Sequence, residues 1–264
     1  MLTRRQLDGP TWRRLFPDIY VHRDVALTHE LRSRAACLLI PSAVVTGRSA
    51  AVLWGVDLAA ASDDVELTLP PSTHAHRVRG LRVRRSRLPS FDVCRRRGSP
   101  ATTPAATALR LGAVLDQDDA VVAIDQLIAT GVVDLEPIRQ RAAASTGPGS
   151  ARGRAAVALA DGLAESPPET RLRLLIGRSG LPAPVAQHRI RVGGRFVARV
   201  DFAWPDRKIA LEYDGLWHSE DGQFARDRQR LNRLRAAGWQ VVFVTATDMH
   251  RPAEVICALA RALA

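Results

Sequence analysis

Val200-Asp201-Phe202-Ala203-Trp204-Pro205-Asp206-Arg207-Lys208-Ile209-Ala210-Leu211-Glu212-Tyr213-Asp214 reads as the ends of two strands joined by a tight turn. The strands run from Arg195 to Trp204 and from Lys208 to Asp214, with Pro205-Asp206-Arg207 between them. Period-two alternation sends Val200, Phe202 and Trp204 one way and Arg199, Asp201 and Ala203 the other. On the second strand Ile209, Leu211 and Tyr213 share the apolar side, and Ala210, Glu212 and Asp214 lie opposite. A hairpin with this turn sets Asp201 across from Leu211 or Glu212. Neighbouring strands are about 4.8 Å apart, so two carboxylates face each other within reach of one divalent ion. Without a cation, like charges that close are destabilising. The carboxylate side is otherwise small (Ala203, Ala210), which leaves room for a ligand.

The elements on either side complete a unit. Ser166-Pro167-Pro168-Glu169 is a capping box with prolines in the first turn, and it opens a helix that runs to about Ser179 and stops at Gly180. His188 to Val192 is a strand meeting the Gly193-Gly194 turn. Phe224 to Ala237 is an arginine-rich helix, Trp239 to Thr245 a strand and Pro252 to Leu263 an amphipathic helix. The order α-β-β-β-α-β-α predicts a mixed α/β domain over 165–264. Three features strengthen the metal reading of Asp201 and Glu212. Glu169 brings a third carboxylate toward the sheet, Asp214-Gly215 turns the chain at the strand end, and His218 follows where it can hold or deprotonate a water.

Upstream, residues 1–164 read as an α+β region with a helical middle. Leu15 to Val21 gives a turn and a strand, and Leu31 to Leu39 a helix stopped before Pro41. Thr46 to Gly55 is a helix capped by threonine and closed by glycine. Alternation over Val65–Leu69 and Leu81–Arg84 suggests paired strands separated by the Pro70-Pro71 turn. Helices follow over Ala106–Leu115, Asp118–Thr130, Leu135–Ala143 and Arg152–Leu163.

The 264 residues carry 38 basic and 27 acidic side chains, a formal charge of +11. That balance favours polyanionic partners such as nucleic acid. Lys208 is the only lysine, so any mechanism needing one has a single candidate. Three scattered cysteines, Cys37, Cys94 and Cys257, argue against a disulfide framework or a zinc site. No stretch approaches the roughly 18 apolar residues of a membrane helix, and Met1-Leu2-Thr3-Arg4-Arg5-Gln6 lacks the apolar run of a secretory signal. The expected location is cytoplasmic, with no membrane partner.

Glu169-Thr170-Arg171-Leu172-Arg173, Gln187, Val200-Asp201-Phe202, Leu211-Glu212-Tyr213-Asp214-Gly215, His218, Asp227, Arg230, Leu234 and Gly238-Trp239 form an ordered set. It resembles a bacterial family of unknown function related to very-short-patch-repair endonucleases, within the PD-(D/E)xK restriction-endonuclease-like superfamily. The resemblance covers about 166–264 and implies a three-layer restriction-endonuclease-like α/β domain. It further implies Mg²⁺ (or Mn²⁺ in its place) on Asp201 and Glu212, assistance from Glu169, and His218 near the attacking water. Asp214 occupies the position of the superfamily's usual lysine, a residue the repair enzymes also lack, and joins the catalytic set. Lys208 lies on the same strand face but nearly 13 Å away at about 3.3 Å per residue. Phe243 replaces an arginine common after Gly-Trp. Duplex DNA is the expected partner, contacted by Arg226, Arg230, Arg233, Gln187 and Lys208; the oligomeric state is left open, a homodimer included.

Leu2-Thr3-Arg4-Arg5-Gln6-Leu7, Phe16-Pro17-Asp18-Ile19-Tyr20-Val21 and Gly47 to Gly55 resemble the amino-terminal region of AbiEi-type antitoxin and transcription-factor proteins. Only about 15 residues precede the Ile19 strand, too few for a complete helix-turn-helix. Two functions follow from the whole: a Mg²⁺-dependent DNA endonuclease in repair or defence, or a DNA-binding regulator or antitoxin on a degenerate nuclease fold.

Overall fold

The computed structural model describes residues 2–73, 77–214 and 223–264, with the backbone alone over 223–227. The chain divides into two compact units, Met1–Gly162 and Leu163–Ala264. Both are mixed α/β.

The first unit begins with α1 (Arg4–Leu7), β1 (Trp12–Phe16) and β2 (Ile19–His22). These two strands form an antiparallel hairpin whose turn sets Asp18 at φ 58°. With α1 only one turn long, no helix-turn-helix precedes β1 among the described residues. Next come α2 (His29–Leu39), β3 (Val44–Val45), α3 (Gly47–Leu53), β4 (Val65–Leu69), β5 (Leu81–Arg85), β6 (Val93–Arg96) and β7 (Ser99–Thr102). Strands β3 to β7 make a five-stranded sheet in the order β5-β4-β3-β7-β6. Its core gathers Val45, Leu67, Leu69, Ala36 and Leu53 from strands and helices. Four helices complete the unit: α4 (Pro104–Val114), α5 (Gln117–Ala129), α6 (Leu135–Ala143) and α7 (Ser150–Leu159). Helices α4 and α7 approach closely at two glycines: a Cβ on Gly112 would stand 2.9 Å from Gly153 Cα.

Two local readings change. Strands β4 and β5 are paired, but parallel (Val65↔Leu81), so Pro70-Pro71 starts a crossover rather than a hairpin. Thr46 is the N-cap of α3 without a side-chain capping bond; its hydroxyl instead accepts from Thr68 Oγ1 at 3.2 Å.

The second unit runs α8 (Pro167–Arg178), β8 (Val185–Val192), β9 (Arg195–Trp204), β10 (Ile209–Asp214), α9 (Gln223–Ala236), β11 (Gln240–Thr245) and α10 (Pro252–Leu263). Its sheet order is β11-β10-β9-β8, antiparallel except for the parallel β10–β11 pair. One face carries Phe202, Trp204, Ile209 and Leu211 against Leu172 and Ile176 of α8 and Val255 and Leu259 of α10. The other carries Ile190, Ala198, Val200, Ala203 and Ala210 against Leu234 of α9 and Trp239. Helices on both faces make three layers. The small side of the hairpin is therefore filled: Ala203 and Ala210 are fully buried and pack with Leu234 of α9 and Trp239.

Candidate functional site

The site forms where β9 and β10 stop pairing. Their ladder runs Ile209↔Trp204, Ala210↔Ala203 and Leu211↔Phe202. The next positions are Glu212 and Asp201, in the register the hairpin turn requires. There the Asp201 Oδ2 accepts the Tyr213 N–H at 2.8 Å, a side chain taking a backbone donor at the point of divergence. Across β9, Gln187 falls between the pairs Ala186↔Phe202 and His188↔Val200, so it also stands level with Asp201. Gln187 has φ 50°, a left-handed conformation rare for a residue with a Cβ. Simple alternation breaks at this level. Val200 packs with Ala203 on the α9 side, while Phe202 joins the opposite cluster, contrary to the shared face the sequence pattern suggests.

Glu169 reaches the same place from the first turn of α8. Ser166 Oγ accepts the Glu169 N–H (3.4 Å), as a capping box requires. The Glu169 carboxylate, however, accepts from Ser166 Oγ (2.7 Å), the Glu165 N–H (2.9 Å) and Gln187 Nε2 (3.1 Å). The cap thus locks a buried carboxylate to the strand that faces Asp201.

Two arginines complete the cluster. Arg230 of α9 donates from Nη1 to Glu212 Oε2 (2.7 Å) and from Nη2 to Glu212 Oε1 (2.6 Å), with a further bond to the Arg199 carbonyl at 3.0 Å. Arg199 Nη2 in turn donates to Glu165 Oε2 at 2.6 Å. The two-pronged grip on Glu212 is a strong, charge-assisted geometry for a carboxylate. Burial raises the proton affinity of Glu169, and the charges of Asp201 and Glu165 add to it against the opposing hydrogen bonds. Burial likewise raises that of Asp201, with Glu212 and Glu165 adding to it while the Tyr213 N–H and Arg230 oppose. Among the described residues this is a buried acidic cluster in which positive charge falls short at Glu169 and Asp201.

That shortage has a pH signature. An acid whose folded pKa is raised binds its proton more readily folded than unfolded, so stability falls as pH climbs from the ordinary carboxylate range through the raised one. Asp201→Asn keeps an acceptor for the Tyr213 N–H and removes this cost. The asparagine variant is expected to melt higher than the parent near pH 7, with the gain shrinking as the pH approaches about 4. Thermal melts of both proteins across that range check it; a gain independent of pH would assign the effect to something other than the Asp201 charge.

The other sequence-derived candidates are placed differently. Asp214 is exposed at the end of β10. His218 lies outside the described residues, as does the side chain of Arg226. Arg230 is drawn inward onto Glu212 rather than presented to a phosphate, because it lies one helical turn before the fully buried Leu234. Arg233 is exposed on α9. Lys208 is not in the strand: it is exposed, at φ 52°, ending the 3₁₀ turn before β10, at the opposite end from Asp214. Gln187 belongs to the carboxylate cluster itself. Sequence reasoning missed Glu165 and Arg199 as members; Arg199 carried a signal, since it alternates onto the Asp201 side of β9.

Hard carboxylate oxygens on neighbouring strands suit Mg²⁺ chemically. The Glu212 oxygens are taken by Arg230, so a cation there competes with a guanidinium. Among the described residues, no group of three or more His, Cys, Asp or Glu is arranged to hold a metal ion, and no helix is long and apolar enough to cross a membrane.

No protein-family model matches the chain, and no solved structure matches it. It is similar to two uncharacterized proteins of Mycobacterium tuberculosis, MT2308 of strain CDC 1551 / Oshkosh and Rv2248 of strain ATCC 25618 / H37Rv. Each is 34% identical over 169 residues, which are 63% of this chain and 62% of the relative, so the chain spans just under two thirds of the curated relatives it matches.

Proposed function

We propose that the second unit is a Mg²⁺-dependent DNA endonuclease of the very-short-patch-repair type, acting in the cytoplasm. The observation that carries this reading is the meeting of Glu169, Gln187, Asp201 and Glu212 at the divergence of β9 and β10. Asp201 and Glu212 would hold the ion, whose chemistry is to polarise the scissile phosphate and acidify a bound water. Glu169, with its raised proton affinity, is suited to hold or accept a proton beside that water. Gln187 fixes the Glu169 carboxylate, and the Tyr213 N–H fixes that of Asp201. Arg230 balances the charge of Glu212; were Glu212 to hold the ion, the same guanidinium would be placed to donate to a phosphate oxygen. The test is cleavage of plasmid, linear duplex, mismatched duplex and single-stranded DNA in Mg²⁺ or Mn²⁺, with a chelator as control. Metal-dependent cutting of duplex supports the reading.

One observation favours a second reading, a DNA-binding regulator or antitoxin on a catalytically silent fold: the closed Arg230–Glu212 pair already satisfies a would-be metal ligand. Tight DNA binding without cleavage on any substrate selects it.

Arg233 and Arg235 are exposed on the two sides of α9 that flank buried Leu234, and under either reading they are the described arginines of this helix free to contact the DNA backbone. Replacing both by alanine is expected to weaken DNA binding uniformly across sequences. The slope of log K against log salt should flatten by about one unit for each phosphate that is no longer neutralised. Fluorescence anisotropy with two unrelated duplexes across a salt series measures this, and an unchanged slope would mean that these arginines only solvate the helix.

A further inference from the structure

We propose that the first unit holds a separate nucleotide-binding site, in which arginines take the phosphate and an exposed phenylalanine takes the base. A cavity of about 460 Å³ opens between the sheet and helices α4 and α6, a volume suited to a ligand of nucleotide size. Four arginines line it, Arg84, Arg87, Arg110 and Arg141, against a single carboxylate, Asp92. Asp92 is buried and already committed: Arg141 grips it through Nε at 2.8 Å and Nη2 at 2.6 Å. Among the described residues, no hydrogen bond or ion pair engages the guanidinium of Arg84, Arg87 or Arg110.

Arg110 is the informative one. It is half-buried on α4, and both burial and the neighbouring charge of Arg84 depress its proton affinity. Glu66 acts in the opposite direction, but its carboxylate is shared between Arg48 at 3.2 Å and Arg82 at 3.8 Å. A half-buried cation beside a like charge is stabilised by an anion that bridges the two, and a phosphate has the charge and the acceptor oxygens to do so. The buried Thr46 lines the same cavity. Its hydroxyl oxygen accepts from Thr68, which leaves its proton free to donate to such an oxygen.

Phe91 supplies the second half. It lines the cavity and is 71% exposed, so its ring is open to a ligand. Its ring is backed by the Arg141 guanidinium, 5.5 Å from the centroid. A supported, exposed aromatic next to a cationic pocket is a stacking platform for a base. The phosphate chemistry is shared by free nucleotides and by the end of a nucleic-acid strand, and the test separates them.

Intact protein is titrated with inorganic phosphate, a nucleoside monophosphate, a nucleoside triphosphate and a 5′-phosphorylated oligonucleotide, read by calorimetry and by melting temperature. Nucleotides are expected to bind and raise the melting temperature. Arg110→Gln should weaken them at least tenfold, and Arg84→Gln, at an exposed position, should weaken them severalfold without touching the fold. Phe91→Ala should weaken nucleotides but leave inorganic phosphate unchanged. Asp201→Asn should bind nucleotides as the parent does, so that failure of the nuclease reading and failure of this one are distinguishable. Tighter binding of the oligonucleotide, abolished in the arginine variants, supports the site and identifies its ligand as a strand end. No binding by any phosphate, or binding indifferent to Arg84 and Arg110, overturns the proposal.

Discussion

Arg230→Ala should cost the second unit about 3 kcal/mol, the scale on which buried ion pairs fail when one partner is removed. Glu212 is only 9% exposed and both its oxygens are satisfied by this one guanidinium. Alanine strips the guanidinium from a buried carboxylate that faces Asp201, which keeps only its Tyr213 N–H among the described residues. It also removes the bond from α9 to the Arg199 carbonyl, a direct tie between that helix and β9. Arg230→Lys should recover part of the loss, because a single ammonium cannot serve two oxygens in the parallel geometry of the fork. Replacing the pair together, Arg230→Met with Glu212→Leu, should be far milder than Arg230→Ala, since the cost lies in the orphaned charge and not in the absence of the ion pair. Urea unfolding of the intact chain, following the transition altered by these variants, gives the ranking. A loss under about 1 kcal/mol for Arg230→Ala would mean that the pair is screened like a surface salt bridge.

That pair also marks where reading the sequence stops. The hairpin of β9 and β10, its register to within one residue, the helix start capped by Ser166 and the order of elements in the second unit were legible, because alternation, prolines and glycines act over a few residues. The reciprocal bond of a capping box does not form there among the described residues, since Glu169 turns to Gln187 instead. The inward turn of Arg230 had a local signal as well, its one-turn spacing to Leu234, but a basic helix reads first as a phosphate-binding face. Direction of pairing was not legible at β4 and β5: parallel and antiparallel strands alternate with the same period, and the stretch after Pro70 is long enough for either route. The break in alternation at Asp201 was equally hidden. It coincides with a left-handed Gln187 and with a carboxylate capturing the Tyr213 N–H, a bond between segments twelve residues apart. The arginine-lined cavity of the first unit is assembled from β5, the chain after it, α4 and α6, whose arginines stand too far apart in sequence to read as a group.

The largest effect on activity is expected at Asp201. If the protein cleaves DNA, Asp201→Asn should reduce turnover by about 10³-fold or more, equivalent to about 4 kcal/mol of transition-state stabilisation. Asparagine has nearly the same shape and still offers an oxygen to the Tyr213 N–H, so the strand divergence that builds the site is preserved. What it lacks is charge: the facing pair of carboxylates becomes a single one, already bound to Arg230, and the hold on a divalent ion goes with it. DNA affinity should stay level or rise, because a negative charge is removed from the path of the phosphate. Glu169→Gln should be milder, on the order of 10- to 100-fold, the scale of losing one proton-transfer group while the ion is retained. It should also remove one of the two titrations on the acid side of the pH–rate profile, where burial raises the pKa of both Glu169 and Asp201. Single-turnover cleavage by the parent and both variants across a pH series separates these outcomes. Equal cutting by all three would trace to a contaminant, and binding without cutting by the parent would move the second unit to the regulator reading, in which Arg230 stays closed on Glu212 and the carboxylates serve the fold alone.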